Sequence, residues 1–143
     1  MSQIIYSSDG QTARAKRPLF QSMLRGFCGR CPNCGEGKLF ARFVKAVHEC
    51  AVCSEKMHHH RADDLPAYLN IVIVGHVVVG AFMMVEAAVD LPGWAHVTIW
   101  GTVLVTMSLA LMQPIKGAVI GLQWANRMHG FGGEDNDAFE THG

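Results

Sequence analysis

Charge is scarce in this chain. Only 17% of its 143 residues are charged, where an ordinary soluble domain carries about 25%. Lys, Arg and Asp are missing from residues 67–89, and residues 94–112 hold no charged side chain at all. These apolar runs are long enough to span a membrane, because roughly twenty helical residues cross a hydrocarbon core. The first twenty residues contain no apolar leader and no cleavage pattern, so no signal peptide is expected. A P-loop, G-x-G-x-x-G, H-E-x-x-H and a nucleophile elbow are all missing, which argues against an enzyme.

Cysteine is confined to positions 28–53. Without an export signal, reduced thiolates holding a metal are expected rather than disulfides. Cys31 and Cys34 form one Cys-x-x-Cys pair, and Cys50 and Cys53 form another after fifteen intervening residues. That spacing predicts a closed tetrahedral zinc site, structural in role because four thiolates leave no position for substrate. Gly35 suits the turn after Cys34, since it accepts positive φ. Leu39 to Val44 is aromatic and β-branched enough for a short hairpin strand. So small a ribbon buries too little apolar surface to fold alone, so the metal should supply folding free energy. Cys28 can replace Cys31 or remain a spare thiol, and His48 is not needed once four sulfurs are counted.

The remaining segments divide by composition. Residues 1–17 read as a flexible basic arm. Residues 18–28 form an amphipathic helix with Leu19, Phe20, Met23, Leu24 and Phe27 on one face. That face either lies on a membrane surface or packs on the ribbon or hairpin. The ribbon occupies 29–56 and a polar His/Asp linker 57–66. Transmembrane helices are expected at 67–89 and 94–112, joined by a four-residue turn. Pro114 should break or kink the second helix. Residues 115–129 are then expected to form an amphipathic interfacial helix, or else the tilted end of a long second span, and residues 130–143 form an acidic disordered tail. Gly117 and Gly121 are spaced to let another helix approach closely.

Zero net charge hides a segregation. Residues 1–61 hold ten Lys/Arg against four acids, the turn holds no cation, and the segment beyond the second span holds Lys116 and Arg127. The positive-inside rule therefore predicts both termini in the cytoplasm. Several ionisable groups are candidate ligand or proton sites. His59, His60, Asp63 and Asp64 sit at the mouth of the first span, where the two carboxylates can equally cap the helix. His76 lies within that span, and Glu86 and His96 fall at similar depth near the outer turn. Ionisable groups at such depth tend to face a partner. Thr98, Thr102 and Thr106 offer interhelical hydrogen bonds to His76 or Asn70.

Arg30-Cys-Pro-x-Cys-Gly-Glu-Gly-x-Leu-Phe, Cys50-x-x-Cys53, His59-His-Arg-Ala-Asp-Asp64, Gly75-His76, Pro114-x-Lys-Gly117 and Gln123-Trp124 through Phe131 follow in one order. Together they resemble the bacterial domain-of-unknown-function family 983, across roughly residues 25–131. Cys28, and Ser54 after the second pair, depart from that pattern. The resemblance implies a small inner-membrane protein without assigned activity. It also implies an accessory role in cytochrome c oxidase biogenesis, among whose genes the family is often found. The expected fold is mainly α: a cytoplasmic four-Cys zinc ribbon, a two-helix transmembrane hairpin and a C-terminal interfacial helix. The expected function is a non-enzymatic accessory or assembly factor whose partners are the bilayer and a membrane protein. The alternatives are a metal- or haem-handling factor using 58–64 and His76/Glu86/His96, or a membrane-tethered nucleic-acid-binding ribbon, which ranks last.

Overall fold

The computed structural model describes residues 5–6, 12–13, 16–57, 64–128 and 131. Three helices dominate: α1 (Leu19–Phe27), α2 (Asp64–Ala88) and α3 (Gly93–Ala125). Two short strands, β1 (Ile5–Tyr6) and β2 (Thr12–Ala13), pair antiparallel with Ile5 opposite Ala13. Part of the stretch expected to be an unstructured arm is therefore paired.

α2 and α3 make the expected hairpin, and both are long and apolar enough to cross a membrane. α2 is apolar on nearly every side. Only Pro66, Asn70, Val74 and Val78 are buried, a stripe at helical spacing that faces α3. Ile71, Val79, Met83 and Met84 point away and stay exposed. The Asn70 side-chain amide donates to the Ser108 carbonyl at 3.1 Å and fixes the register of the pair. α2 starts at Asp64 rather than at residue 67, because Pro66 fits a first helical turn where no N–H is needed.

Pro114 decides between the two arrangements expected for the segment after it. The helix does not end there, and α3 runs through it for thirty-three residues. Proline removes one backbone hydrogen bond and crowds the carbonyl four residues earlier, at a cost of about 3 kcal/mol. Packing beyond the proline offsets that cost. Ile115, Val119, Ile120 and Trp124 are buried against the rest of the head. The segment beyond Pro114 is thus the protruding end of a long second helix and not a separate interfacial helix, and α1 lies along it. Phe131, expected in a disordered tail, is buried in the same core, while residues 132–143 lie outside the described residues.

The apolar core sits in the head, not in the hairpin. Leu39, Met57, Ile120, Trp124 and Phe131 cluster with Cys31 and Cys50. Between α1 and α2 the chain forms three isolated antiparallel bridges, Arg30–Lys38, Phe40–Ala46 and Glu49–Lys56. The expected strand from Leu39 to Val44 is not regular. Ala41 N–H donates to the Lys45 carbonyl at 2.8 Å, closing a loop too tight for a ladder.

Candidate metal centre

Four sulfurs converge in the head. One ligand atom from each of Cys31, Cys34, Cys50 and Cys53 lies within 4.8 Å of the others. The Cys31–Cys53 separation is 3.7 Å and the Cys34–Cys50 separation 3.8 Å. A tetrahedron with metal–sulfur bonds of about 2.3 Å has edges of about 3.8 Å. The donor set therefore fits a four-thiolate metal ion in both chemistry and spacing.

The backbone explains the convergence. Gly35 takes φ +76° and Ser54 takes φ +58°, so each knuckle turns back right after its second cysteine. Gly35 N–H donates to the Cys31 carbonyl at 2.8 Å and Ser54 N–H to the Cys50 carbonyl at 3.0 Å. Gly37 is needed for another reason. A Cβ there would strike the Cys50 sulfur. Gly37 N–H also donates to Cys34 Sγ at 3.5 Å.

The environment separates the thiols. Gly37 N–H, which favours the anion, lowers the Cys34 pKa to about 7. Burial pushes the Cys31 and Cys53 thiols up, since their thiolates lose water. A bound cation reverses that cost by supplying the opposite charge. Cys28 is exposed and outside the cluster, so it is the spare thiol.

The centre is tied to the helices through two contacts that the sequence conceals. Arg25 of α1 donates to the Asn33 carbonyl at 2.8 Å and reaches the Pro32 carbonyl at 3.3 Å, holding the first knuckle. The sequence places Arg25 beside an apolar face, but nothing in it names a carbonyl partner. Glu55, two residues after Cys53, accepts from Trp124 Nε1 at 3.1 Å and from Asn33 Nδ2 at 3.4 Å. Asn33 Nδ2 also approaches Cys53 Sγ at 3.6 Å. On the other side, the Arg17 guanidinium sits 4.1 Å over the Trp124 ring and donates to the Trp124 carbonyl at 2.8 Å. A cation on an aromatic face adds about 0.5–1 kcal/mol at such partly open sites. Glu55→Ala is expected to destabilise head docking by about 1.5–3 kcal/mol, the worth of a charge-assisted hydrogen bond. Trp124 emission should shift to the red, and Glu55→Gln, whose amide oxygen still accepts, should restore most of it.

The other candidate residues are scattered. His59, His60 and Asp63 lie outside the described residues. Asp64 is exposed at the start of α2. His76 does not face α3. It is exposed, and its Nδ1 lies 2.7 Å from the Val72 carbonyl of its own helix. Thr98 and Thr102 likewise donate to Trp94 and Thr98 carbonyls at 2.9 and 2.7 Å, not across the hairpin. A short side chain satisfied by the carbonyl four residues back needs no partner helix. Glu86 and His96 do meet, with Oε2 and Nε2 3.0 Å apart. Phe82 stands edge-on to His96 and Trp100. His96 Nδ1 and Trp100 Nε1 are buried without a hydrogen-bond partner among the described residues.

Gly117 and Gly121 face a helix of their own chain. A Cβ on Gly117 would collide with the Gly26 carbonyl, and one on Gly121 with the Ser22 carbonyl. Ser22 and Gly26 are the buried residues of α1. The two small-residue pairs interlock with α1 antiparallel to the end of α3. That surface is therefore filled and not open to another protein.

A four-thiolate site in a compact head, carried on a hairpin of two membrane-length apolar helices, defines a small helical protein with a candidate metal centre. The chain belongs to DUF983, described as a protein family of unknown function, whose family model matches residues 40–124. The match takes in Cys50, Cys53 and all of α2, and begins after Cys31 and Cys34. No curated protein and no solved structure matches the chain.

Proposed function

We propose that this chain is a non-enzymatic accessory factor of the bacterial inner membrane. In this reading zinc occupies the four-sulfur site as a structural ion, and α2 and α3 span the bilayer. The ten cations of residues 1–61 support cytoplasmic placement of the head and both termini. Closed coordination supports a structural ion over a catalytic one. The observation that carries the reading is the fastening of the metal centre to α3 through Glu55 and Trp124. A head held this firmly on a membrane hairpin presents a fixed surface to a neighbouring membrane protein. No nucleic-acid partner is assigned.

The partner we assign is the assembly machinery of cytochrome c oxidase, on the family resemblance alone. Purification of the tagged chain in mild detergent should then recover oxidase assembly components, with zinc bound at one ion per chain. Recovery of zinc-loaded protein without any such component would sink the oxidase assignment. A metal- or haem-handling role draws on one observation, the Glu86–His96 pair with its unpartnered Nδ1. If Glu86→Gln and His96→Ala both leave oxidase maturation intact, that second role is excluded.

A further inference from the structure

An open hollow of about 490 Å³ lies where the head meets the hairpin, lined by Arg30, Lys38, Phe40, Gln113, Cys28 and Glu36. Arg30 and Lys38 face each other directly across an antiparallel bridge. Side chains so paired stand about 5 Å apart at Cβ, and like charges placed there are destabilising. Neither makes an ion pair among the described residues, and Glu36, although it lines the same hollow, pairs with neither. Two cations side by side, with one unpaired carboxylate nearby, leave the hollow short of negative charge. Gln113 adds an amide that can donate, and Phe40 an apolar wall.

The hollow also has a particular depth. Gln113 immediately precedes Pro114. The Asn70–Ser108 hydrogen bond fixes the hairpin register. Six residues back from Asn70 is Asp64, the first residue of α2, and six on from Ser108 is Pro114. The cations therefore sit level with the end of the apolar spans. Phe27, exposed beside Cys28, continues the apolar surface there.

We propose that Arg30 and Lys38 form a binding site for a phosphate-bearing anion, supplied at this depth by the headgroup of an anionic phospholipid. The lipid source rests on the membrane reading above; the phosphate chemistry does not. Each basic residue at an anionic leaflet contributes about fivefold in affinity, so removing both should weaken binding about thirtyfold.

Cys28 lines the hollow and stands outside the metal cluster, so it reports occupancy. The zinc-loaded full chain is placed in nanodiscs of phosphatidylcholine, with or without phosphatidylglycerol, and Cys28 alkylation by iodoacetamide is timed. Phosphatidylglycerol is expected to slow alkylation severalfold. Arg30→Gln with Lys38→Gln should abolish that protection. Arg42→Gln with Lys45→Gln, which removes the same charge elsewhere on the head, should keep it. The charge-preserving exchange Arg30→Lys with Lys38→Arg should keep it too, and loss there would overturn the site. Equal behaviour of the two neutralised variants would also overturn it. Glycerol phosphate added to phosphatidylcholine discs separates the sources: protection by it identifies a free phosphate compound, and protection only by the lipid identifies the headgroup. Protection by neither overturns the proposal. A chain that leaves neutral discs refutes the membrane reading alone, since glycerol phosphate protection can still be measured in solution.

Discussion

Cys31→Ser will leave residues 29–57 without a folded state while α2 and α3 remain helical. Cys31 is 1% exposed and its sulfur is one corner of the four-sulfur cluster. The head has three isolated bridges and a handful of buried side chains to hold it. A structural zinc ion contributes roughly 10–16 kcal/mol of apparent binding free energy in comparably small domains. Losing one ligand of four removes a large part of that. Limited proteolysis should cut the variant within 29–57, and metal analysis should find it nearly empty. Chelation of the wild type should give the same cleavage pattern, reversed by added zinc. Equal protease resistance of metal-free and loaded protein would show that the ion does not hold the head.

The same site sets a pH dependence. Without metal, burial holds protons on Cys31 and Cys53 beyond the ordinary thiol range, whereas Cys34 titrates at about 7. The folded pKa values of Cys31 and Cys53 are raised, so metal binding must displace their protons at neutral pH. Affinity therefore rises with pH, by about a hundredfold per unit where two protons leave. Metal should be lost as pH falls through 7, where Cys34 also takes up its proton.

The metal centre could be read from spacing because two Cys-x-x-Cys turns report geometry locally. Each knuckle needs only its own few residues to aim two sulfurs. The hairpin could be read for a similar reason, since residues 67–89 hold no Lys, Arg or Asp and residues 94–112 hold no charged side chain. Pro114 left two arrangements open because its rule concerns an isolated helix. Here Ile115 to Trp124 gain enough burial to carry the helix through. His76, Thr98 and Thr102 misled because their partners are carbonyls of their own helix, which no pattern of side chains discloses. Glu55 and Arg25 could not be found at all. Their partners, Trp124 and the carbonyls of Pro32 and Asn33, are set by how the head docks on α3.

Gly117→Val will separate α1 from α3, and this is the largest effect expected from a residue far from the sulfurs. The Gly117 position meets the Gly26 carbonyl directly, and Gly26 meets Gly117 in return. Both obstacles are backbone, so no side chain can swing aside to make room. Overpacking in an adaptable core costs about 1–3 kcal/mol, and a rigid backbone contact should reach the upper end or beyond. Once α1 lifts away, Ser22 and Gly26 lose their burial and Arg25 loses its hold on the first knuckle. Amide exchange across 19–27 should accelerate, and metal should be released faster from a head still able to bind it. Gly75→Ala is the matching control. Nothing lies within 4 Å of a Cβ at Gly75 on α2, so alanine there should be neutral or gain up to about 1 kcal/mol of helix propensity. If both substitutions behave alike, the close approach of α1 and α3 is not what holds the head to the hairpin. If only Gly117→Val loosens α1, the small-residue face is an internal joint, and a protein partner must bind elsewhere on the head.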